Sequence, residues 1–239
     1  MNLYIKVIGK GSPLVFFHGW GFDHTIWLQL ATCIDNEYQL FLVDLPGFGL
    51  SSPMSWELFK KNLIQQLPAQ FALAGWSMGG LLATRFAIEE PTHVTKLINI
   101  SSSPRFIKEK AWPGIEKQAF SQFFINLTAD PQLTISEFIG LQLKNNSYQY
   151  HNEIMPDPAS LKEGLQILAD WDLRELLHSL KRPAYFLFGH LDAITPRATM
   201  AAMQKLYPQF NYLMFAKAAH IPFLSDRAEF ITVLQDILR

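Results

Sequence analysis

The stretch FALAGWSMGGLLATRFAIEE, residues 71–90, places one serine, Ser77, between glycines where two apolar patterns meet. A continuous apolar run, typical of a buried strand, leads into the G-x-S-x-G motif of residues 75–79. A helical pattern follows and stops before Pro91. A strand, a sharp turn and a helix in this order can hold a serine hydroxyl above the edge of a sheet. We therefore predict that Ser77 is a reactive nucleophile, although the glycines could simply make a tight turn around an idle serine.

The chain on both sides of this stretch repeats the same alternation of apolar runs and helical patterns. Further strand-like runs lie at residues 3–8, 14–17 and 40–43, and within 94–104, 182–192 and 210–220; helical patterns lie at 80–89, 197–206 and 228–238. Runs that stay apolar without alternating are typical of a parallel sheet covered on both faces. We therefore predict an α/β fold with a mostly parallel central sheet and helices on both faces.

The alternation stops between residues 104 and 172, where no convincing strand occurs. Prolines in positions that often begin helices are Pro113, Pro131 and Pro158. We predict that residues 104–172 form a helical cap, or lid, inserted into a core domain made of residues 1–103 and 173–239. The strand pattern resumes after the insertion, so we do not expect the cap to fold as an independent domain.

A serine hydroxyl needs a base to remove its proton, and the base needs an acid to orient it. His220 follows the last predicted strand and precedes the last helix, which places it at the carboxyl edge of the sheet. Asp192 follows the strand before that, so the chain order is Ser77, Asp192, His220, as in a common hydrolase architecture. Weaker candidates for the acid are Asp44, Asp170 and Asp172.

Acyl transfer also needs N–H donors for the negative oxygen that forms during attack. The backbone N–H of Met78, the residue after the nucleophile, is one candidate. The second is the backbone N–H of Trp20, in a loop that follows an early strand and is made adaptable by Gly19 and Gly21. The Trp20 indole would then line the pocket. Together these groups predict attack of Ser77 on a carbonyl, an acyl-enzyme and its hydrolysis by water.

Composition excludes several other classes of function. A net charge of −1 over 239 residues shows no basic excess that would point to nucleic acid or to an anionic membrane. No apolar run reaches the roughly 20 residues of a membrane span, and no leader pattern opens the chain, so we expect a cytoplasmic protein. No metal-ligand cluster or nucleotide fingerprint occurs, so we expect neither metal nor cofactor. We expect the single cysteine, Cys33, to be buried.

Five motifs in combination, HGWG, DLPGFG, GWSMGG, GHLDAITP and AKAAHIPF, resemble those of the α/β-hydrolase superfamily. Within it, the runs SSSPRF, WPGI and EGLQILADWDLR make the chain similar to the pimeloyl-[acyl-carrier protein] methyl ester carboxylesterases of biotin synthesis. The resemblance spans nearly the whole chain. It implies the α/β-hydrolase fold and hydrolysis of the methyl ester of a pimeloyl chain carried on acyl-carrier protein, by a chain that we expect to be monomeric.

The resemblance also implies roles for individual residues. The catalytic residues would be Ser77, Asp192 and His220. The residues that contact substrate would be Trp20, Met78 and the cap segment Phe138, Ile139, Gly140, Leu141 and Gln142. Phe138 and Leu141 would share a helix face that could pack an acyl chain, although the same face could equally belong to the core of the cap.

The chain departs from the family in one respect, since the family holds its acidic carrier protein with basic residues on the cap. Residues 143–165 contain no arginine, and their only cations are Lys144 and Lys162. We therefore expect the carrier either to use another patch or to dock weakly; the nearby cations are Arg105, Lys108, Lys110 and Lys117. Alternatives that keep the same triad are a general short-chain carboxylesterase or a carbon–carbon bond hydrolase. A non-catalytic binding protein is disfavoured by the complete triad.

Overall fold

The computed structural model describes residues 2–143, 150 and 154–239, and these residues fold around a seven-stranded sheet. The strands are β1 (Ile5–Ile8), β2 (Ser12–Phe17), β3 (Tyr38–Val43), β4 (Phe71–Trp76), β5 (Val94–Ile100), β6 (Ala184–Gly189) and β7 (Asn211–Phe215). Their order in the sheet is β1-β3-β2-β4-β5-β6-β7. Only the β1–β3 pair is antiparallel among these described strands. The predicted mostly parallel α/β sheet is confirmed.

Helices cover both faces of the sheet. They are α1 (Leu28–Ile34), α2 (Trp56–Gln66), α3 (Met78–Glu89), α4 (Lys117–Ala129), α5 (Pro131–Leu143), α6 (Pro158–Asp170), α7 (Arg174–Leu177), α8 (Arg197–Leu206), α9 (Pro222–Ser225) and α10 (Arg227–Leu238). The three predicted core helices occur as α3, α8 and α10. The sequence patterns missed α1 and α2; α2 buries only Phe59 and Leu63 along its length, which leaves too weak an apolar stripe to recognise.

The core consists of two hydrophobic clusters, one on each face of the sheet. Along β2, Val15 and Phe17 belong to one cluster, while Leu14 and Phe16 belong to the other. This division follows from the strand geometry, because successive side chains point to opposite faces. The continuous apolar runs of the sequence thus reflect a sheet that is buried on both sides.

The helices α4, α5 and α6 form an insertion between β5 and β6. Its two ends are tied together, because the N–H of Leu173 donates to the carbonyl of Pro104 at 2.9 Å. The guanidinium of Arg105 also donates to the carbonyls of Ala169 and Trp171. Apolar residues of the insertion share a cluster with the α2 and α3 face of the sheet, so the insertion has its core in common with the rest of the protein.

Two local predictions are wrong. No helix begins at Pro113; residues 107–115 instead form a small loop closed by β-bridges, and α4 begins only at Lys117. This loop is held by Trp112, whose indole N–H donates to the carbonyl of Arg105 at 2.8 Å. The helices at Pro131 and Pro158 begin as predicted.

The second wrong prediction concerns Cys33, which is exposed and not buried. Helix α1 turns Leu30, Ala31 and Ile34 toward the core and leaves Cys33 on its outer side. None of the described helices has both the length and the apolar character to cross a membrane.

Candidate active site

Ser77 forms the turn between β4 and α3 in a strained conformation. Its φ of 55° and ψ of −120° lie in a region that costs a residue with a side chain on the order of 1–3 kcal/mol. The Ser77 N–H donates to the carbonyl of Ile100 at 2.9 Å. The Ser77 carbonyl accepts a hydrogen bond from the hydroxyl of Ser102 at 2.7 Å. These bonds to the end of β5 and the residues after it hold the turn in its strained form.

Three glycines around Ser77 allow the close packing of this turn. A Cβ atom at Gly75 would lie 2.4 Å from the carbonyl oxygen of Gly79, and one at Gly79 would lie 2.4 Å from the carbonyl oxygen of His18. A Cβ atom at Gly80 would lie 2.5 Å from the Cβ of Ser102. A side chain at Gly75 or Gly79 would therefore clash with backbone atoms, and one at Gly80 would clash with the side chain of Ser102. The glycines are required by the approach of β4, α3 and the loop after β2.

His220 connects Ser77 to Asp192 by hydrogen bonds. Its Nε2 lies 2.9 Å from the Oγ of Ser77, and its Nδ1 lies 2.8 Å from the Oδ2 of Asp192. This geometry suits an imidazole that donates from Nδ1 to the carboxylate and accepts the serine proton at Nε2. The carbonyl of His220 accepts from the indole of Trp76 at 2.8 Å, which fixes the loop after β7. The carboxyl edge of the sheet thus collects the three predicted side chains.

Asp192 is held as a carboxylate by several donors. Its Oδ1 accepts from the backbone N–H groups of Ile194, at 2.8 Å, and Thr195, at 3.0 Å, and its Oδ2 accepts from the Thr195 hydroxyl. Burial by itself raises the pKa of the Asp192 carboxyl, but the charge and hydrogen bond of His220, with those of Thr195, bring this pKa below its usual value. Asp192 is therefore suited to orient His220 and to stabilise its cationic form.

The loop that carries Trp20 is fixed by a second histidine. The Nδ1 of His18 donates to the carbonyl of Gly19 at 2.8 Å, and its Nε2 accepts from the N–H of Leu45 at 2.9 Å. Burial lowers the pKa of His18, against the opposing effect of nearby Asp44, which favours this neutral form. Asp44 itself accepts from the N–H of Leu50 at 2.9 Å and so holds the DLPGFG turn. His18 joins the two loops and does not contact Ser77 through any described hydrogen bond.

A cavity of about 500 Å³ opens beside Ser77 and His220. Its apolar walls come from the cap and from the loops at the sheet edge: Trp20, Phe106, Ile115, Ala119, Phe120, Phe123, Phe138, Leu141, Leu165, Leu168, Leu191, Ala193, Ile194 and Ala219. Apart from Ser77, Asp192 and His220, Gln142 is the one polar side chain among its described lining residues. Such a cavity, with an apolar body and a few polar groups at one end, is typical of a small-molecule site.

The cap segment predicted to contact substrate is divided by its helical geometry. Phe138, Leu141 and Gln142 line the cavity. Ile139 is partly buried against the hydrophobic clusters, and Gly140 faces open space. Residues 138, 141 and 142 share one helix face, whereas the two residues between them point elsewhere.

The two predicted oxyanion residues line different cavities. Trp20 lines the cavity beside Ser77, whereas Met78 lines a smaller cavity of about 280 Å³. The sequence patterns missed the hydrogen bonds of Ser102 to Ser77 and of Thr195 to Asp192. Only the hydrogen bonds to Asp192 have a local signal in the sequence, because an aspartate side chain often accepts from backbone N–H groups shortly after it in the chain.

A mostly parallel sheet that carries a hydrogen-bonded serine, histidine and aspartate, in the chain order Ser, Asp, His, defines the class of α/β hydrolases. A model of the alpha/beta hydrolase family matches residues 14–233. The chain therefore belongs to the α/β hydrolase family.

Proteins similar to this chain are named as esterases. A pimeloyl-[acyl-carrier protein] methyl ester esterase of Legionella pneumophila (strain Corby) is 52% identical over 239 residues, covering 100% of both chains. The protein of the same name from Aliivibrio salmonicida is 37% identical, over 100% of this chain and 96% of the relative. Among solved structures, an esterase from Exiguobacterium antarcticum superposes with a TM-score of 0.87 at 21% identity, covering 98% of this chain and 94% of the other. At that identity the likeness supports the fold alone.

Proposed function

We propose that this chain is a serine carboxylesterase that hydrolyses the methyl ester of a pimeloyl group carried on acyl-carrier protein, a step in biotin synthesis. The observation that carries the chemistry is the hydrogen-bonded series of Ser77, His220 and Asp192 beside an apolar cavity. The substrate is supported by relatives that bear this activity in their names, of which one is 52% identical over its full length.

The first half of the reaction forms an acyl-enzyme. The Oγ of Ser77 attacks the ester carbonyl while Nε2 of His220, 2.9 Å away, takes its proton. Asp192 stabilises the imidazolium that results. The tetrahedral intermediate collapses when the methoxy group leaves with the proton from His220, as methanol. The pimeloyl carboxyl is then esterified to Ser77.

We assign the negative oxygen of the intermediate to the backbone N–H groups of Met78 and Trp20. Met78 begins α3, where the first N–H groups have no acceptor within the helix and the helix dipole favours negative charge. In the second half of the reaction, His220 removes a proton from water, which attacks the acyl-enzyme. The bond to Ser77 breaks, its oxygen recovers the proton, and a free carboxylate leaves.

The cavity suits a substrate with a long apolar chain. Its volume of about 500 Å³ lies within the range of roughly 300–1,000 Å³ typical of small-molecule sites. With the methyl ester at Ser77, the chain would lie against Phe123 and Phe138 of the cap. The exposed side chains of Leu141 and Leu191 mark the rim, where the link to the carrier would leave.

We further propose that the carrier docks beside the cavity on a lysine groove, defined by the exposed Lys108, Lys110, Lys117 and Lys205. Residues 106–120 separate this groove of about 940 Å³ from the substrate cavity and contribute to both. The acidic residues in its lining are Glu109, Asp172 and Glu175. Arg174 pairs with the first two, and no described acid pairs with Lys110, Lys117 or Lys205. The groove therefore offers uncompensated positive charge to an acidic partner.

The nucleophile is tested by Ser77→Ala, which we expect to lower turnover of any ester substrate by on the order of 10⁴-fold or more without unfolding the protein. The measurement is hydrolysis of a p-nitrophenyl ester, with circular dichroism to follow the fold. Ser121→Ala, at an exposed serine of α4, serves as the matched control. Turnover by Ser77→Ala at the wild-type rate would overturn the mechanism.

The substrate is tested separately from the nucleophile. We expect methyl pimeloyl-[acyl-carrier protein] to be hydrolysed with a higher kcat/KM than short acyl esters without a carrier. We also expect the wild-type chain, but not Ser77→Ala, to restore growth of a biotin auxotroph that lacks its own methyl esterase. Equal or faster hydrolysis of short esters, without rescue, would leave a serine esterase of another substrate.

A further inference from the structure

One face of the cap helix α6 lies directly against both residues assigned to the oxyanion. A Cβ atom at Gly164 would lie 2.8 Å from Cδ1 of Trp20 and 3.2 Å from Sδ of Met78. One turn earlier, the carbonyl of Leu161 accepts a hydrogen bond from Nε1 of Trp20 at 2.9 Å. The helix therefore holds the Trp20 indole by a hydrogen bond and approaches it closely only because residue 164 has no side chain.

The same face of α6 packs against a second loop of the core. A Cβ atom at Gly47, in the DLPGFG turn, would lie 2.1 Å from the hydroxyl oxygen of Ser160. Ser160 and Gly164 are four residues apart, so they lie above one another on one face of the helix. Asp157 caps the start of α6 by accepting from the N–H of Ser160 at 3.2 Å. Two close contacts on one face thus fix α6 against the core.

The Trp20 indole is confined on its other sides by the cap. The ring centroid of Phe123 lies 5.4 Å away and that of Phe138 lies 5.2 Å away, both edge-to-face. Trp20 is buried, so these contacts and the Leu161 hydrogen bond leave its side chain little freedom. A displacement of α6 toward or away from the core would therefore act directly on the Trp20 side chain.

We propose that Gly164 is a positioning residue, which lets α6 hold Trp20 and Met78 where their backbone N–H groups meet the oxyanion. The position of α6 against the core thereby determines kcat, in addition to closing the cavity. Oxyanion donors must lie about 2.7–3.1 Å from the negative oxygen, and a misplacement of about 1 Å can cost on the order of 100-fold in rate. The proposal rests on the proposed esterase function and concerns the control of the same site.

The test is Gly164→Ala, assayed with a small p-nitrophenyl ester. We expect kcat to fall by about 10- to 100-fold, KM to stay within about twofold, and labelling of Ser77 by a fluorophosphonate to slow in parallel. Gln166→Ala, at an exposed position of the same helix, is the matched control and should leave all three unchanged. Wild-type kcat in Gly164→Ala, or a loss no greater than the loss of folded protein, overturns the proposal.

A second variant decides the matter if Gly164→Ala folds poorly. Trp20→Phe removes the N–H that binds the Leu161 carbonyl but keeps an aromatic ring, and we expect it to lower kcat. Where Gly164→Ala does fold, the loss in the double variant should be smaller than the product of the two single losses, because both changes act through Trp20. A wild-type kcat in Trp20→Phe overturns the proposal. Loss of activity in Ser77→Ala stands apart from these results, so the esterase assignment can survive their failure.

Discussion

At the scale of single residues, the candidate site depends on a few atoms that hold Ser77 and Asp192 in place. Ser77 keeps a positive φ because glycines leave room around it and because Ser102 binds its carbonyl. Asp192 stays ionised because Thr195, Ile194 and His220 direct donors at its oxygens. Both side chains are buried, so a lost partner cannot be replaced freely by bulk water.

The acid is tested by Asp192→Asn. An amide cannot stabilise the imidazolium and can hold His220 in the wrong tautomer, so we expect kcat to fall by about 10³- to 10⁴-fold. The protein should remain folded, since the asparagine keeps the shape of the side chain. The control is Asp170→Asn at the exposed end of α6, which should retain wild-type kcat. A large loss in the control with a small loss in Asp192→Asn would move the acid to Asp170.

At the scale of elements, a charged junction joins α2, α3 and the segment after α6. Arg85 of α3 lies 5.0 Å from the ring centroid of Trp56 and 4.2 Å from that of Trp171. Glu89 accepts from Arg85 at 2.7 Å and from Trp56 at 2.8 Å, and it pairs with Lys60 at 2.7 Å. The segment at the end of the cap is therefore held against the core helices α2 and α3.

This junction predicts a pH-dependent stability. Burial by itself raises the pKa of Glu89, but hydrogen bonds from Lys60, Arg85 and Trp56 lower it from 4.5 to about 2. The charged carboxylate thus stabilises the fold above about pH 4.5, and this contribution is lost as the pH falls toward 2. We expect Glu89→Gln to lower the free energy of unfolding by about 1 kcal/mol at pH 7, since the partly exposed pairs are screened by solvent.

Urea denaturation from pH 7 to pH 2.5 measures this contribution. The difference between wild type and Glu89→Gln should shrink as the pH falls below about 4.5. Glu175→Gln, at an exposed position, is the control and should show little difference at any pH. A difference for Glu89→Gln that stays constant down to pH 2.5 would contradict the role assigned to its charge.

The three prolines predicted to begin helices show a limit of sequence patterns. Pro131 and Pro158 each begin a helix, whereas Pro113 lies in a bridged loop. The difference lies in tertiary contacts: a Cβ atom at Gly114 would lie 2.3 Å from the carbonyl oxygen of Phe106. The loop is thus closed by contacts between residues on both sides of Pro113. These contacts outweigh the tendency of proline to occupy the first turn of a helix.

At the scale of the whole molecule, the net charge is only −1, but the charged side chains are unevenly distributed over the surface. The lysine groove beside the substrate cavity concentrates Lys108, Lys110, Lys117 and Lys205, although these residues come from the loop before α4, from α4 and from α8. Charges arranged in this way mainly accelerate encounter with a partner of opposite charge. Their effect should be seen only when the substrate is attached to such a partner.

We expect Lys110→Glu, Lys117→Glu and Lys205→Glu, combined in one variant, to raise KM for the carrier-bound methyl ester by about 10-fold or more. Turnover of a small p-nitrophenyl ester should not change. Added salt should reduce the difference from wild type, since it screens exposed charges. The control is Lys10→Glu in the exposed turn between β1 and β2, at the opposite edge of the sheet. An equal effect on the small ester would exclude a docking role.

The sequence by itself determined the class of fold, because continuous apolar runs require a sheet buried on both faces. It also identified Ser77, Asp192 and His220 as candidates, because each follows a strand and parallel strands end at one edge. Only the tertiary structure decided which cap residues face the cavity, that Cys33 is exposed, and that α6 rests against Trp20 and Met78. Those features depend on contacts between segments far apart in the chain, and no local pattern records them.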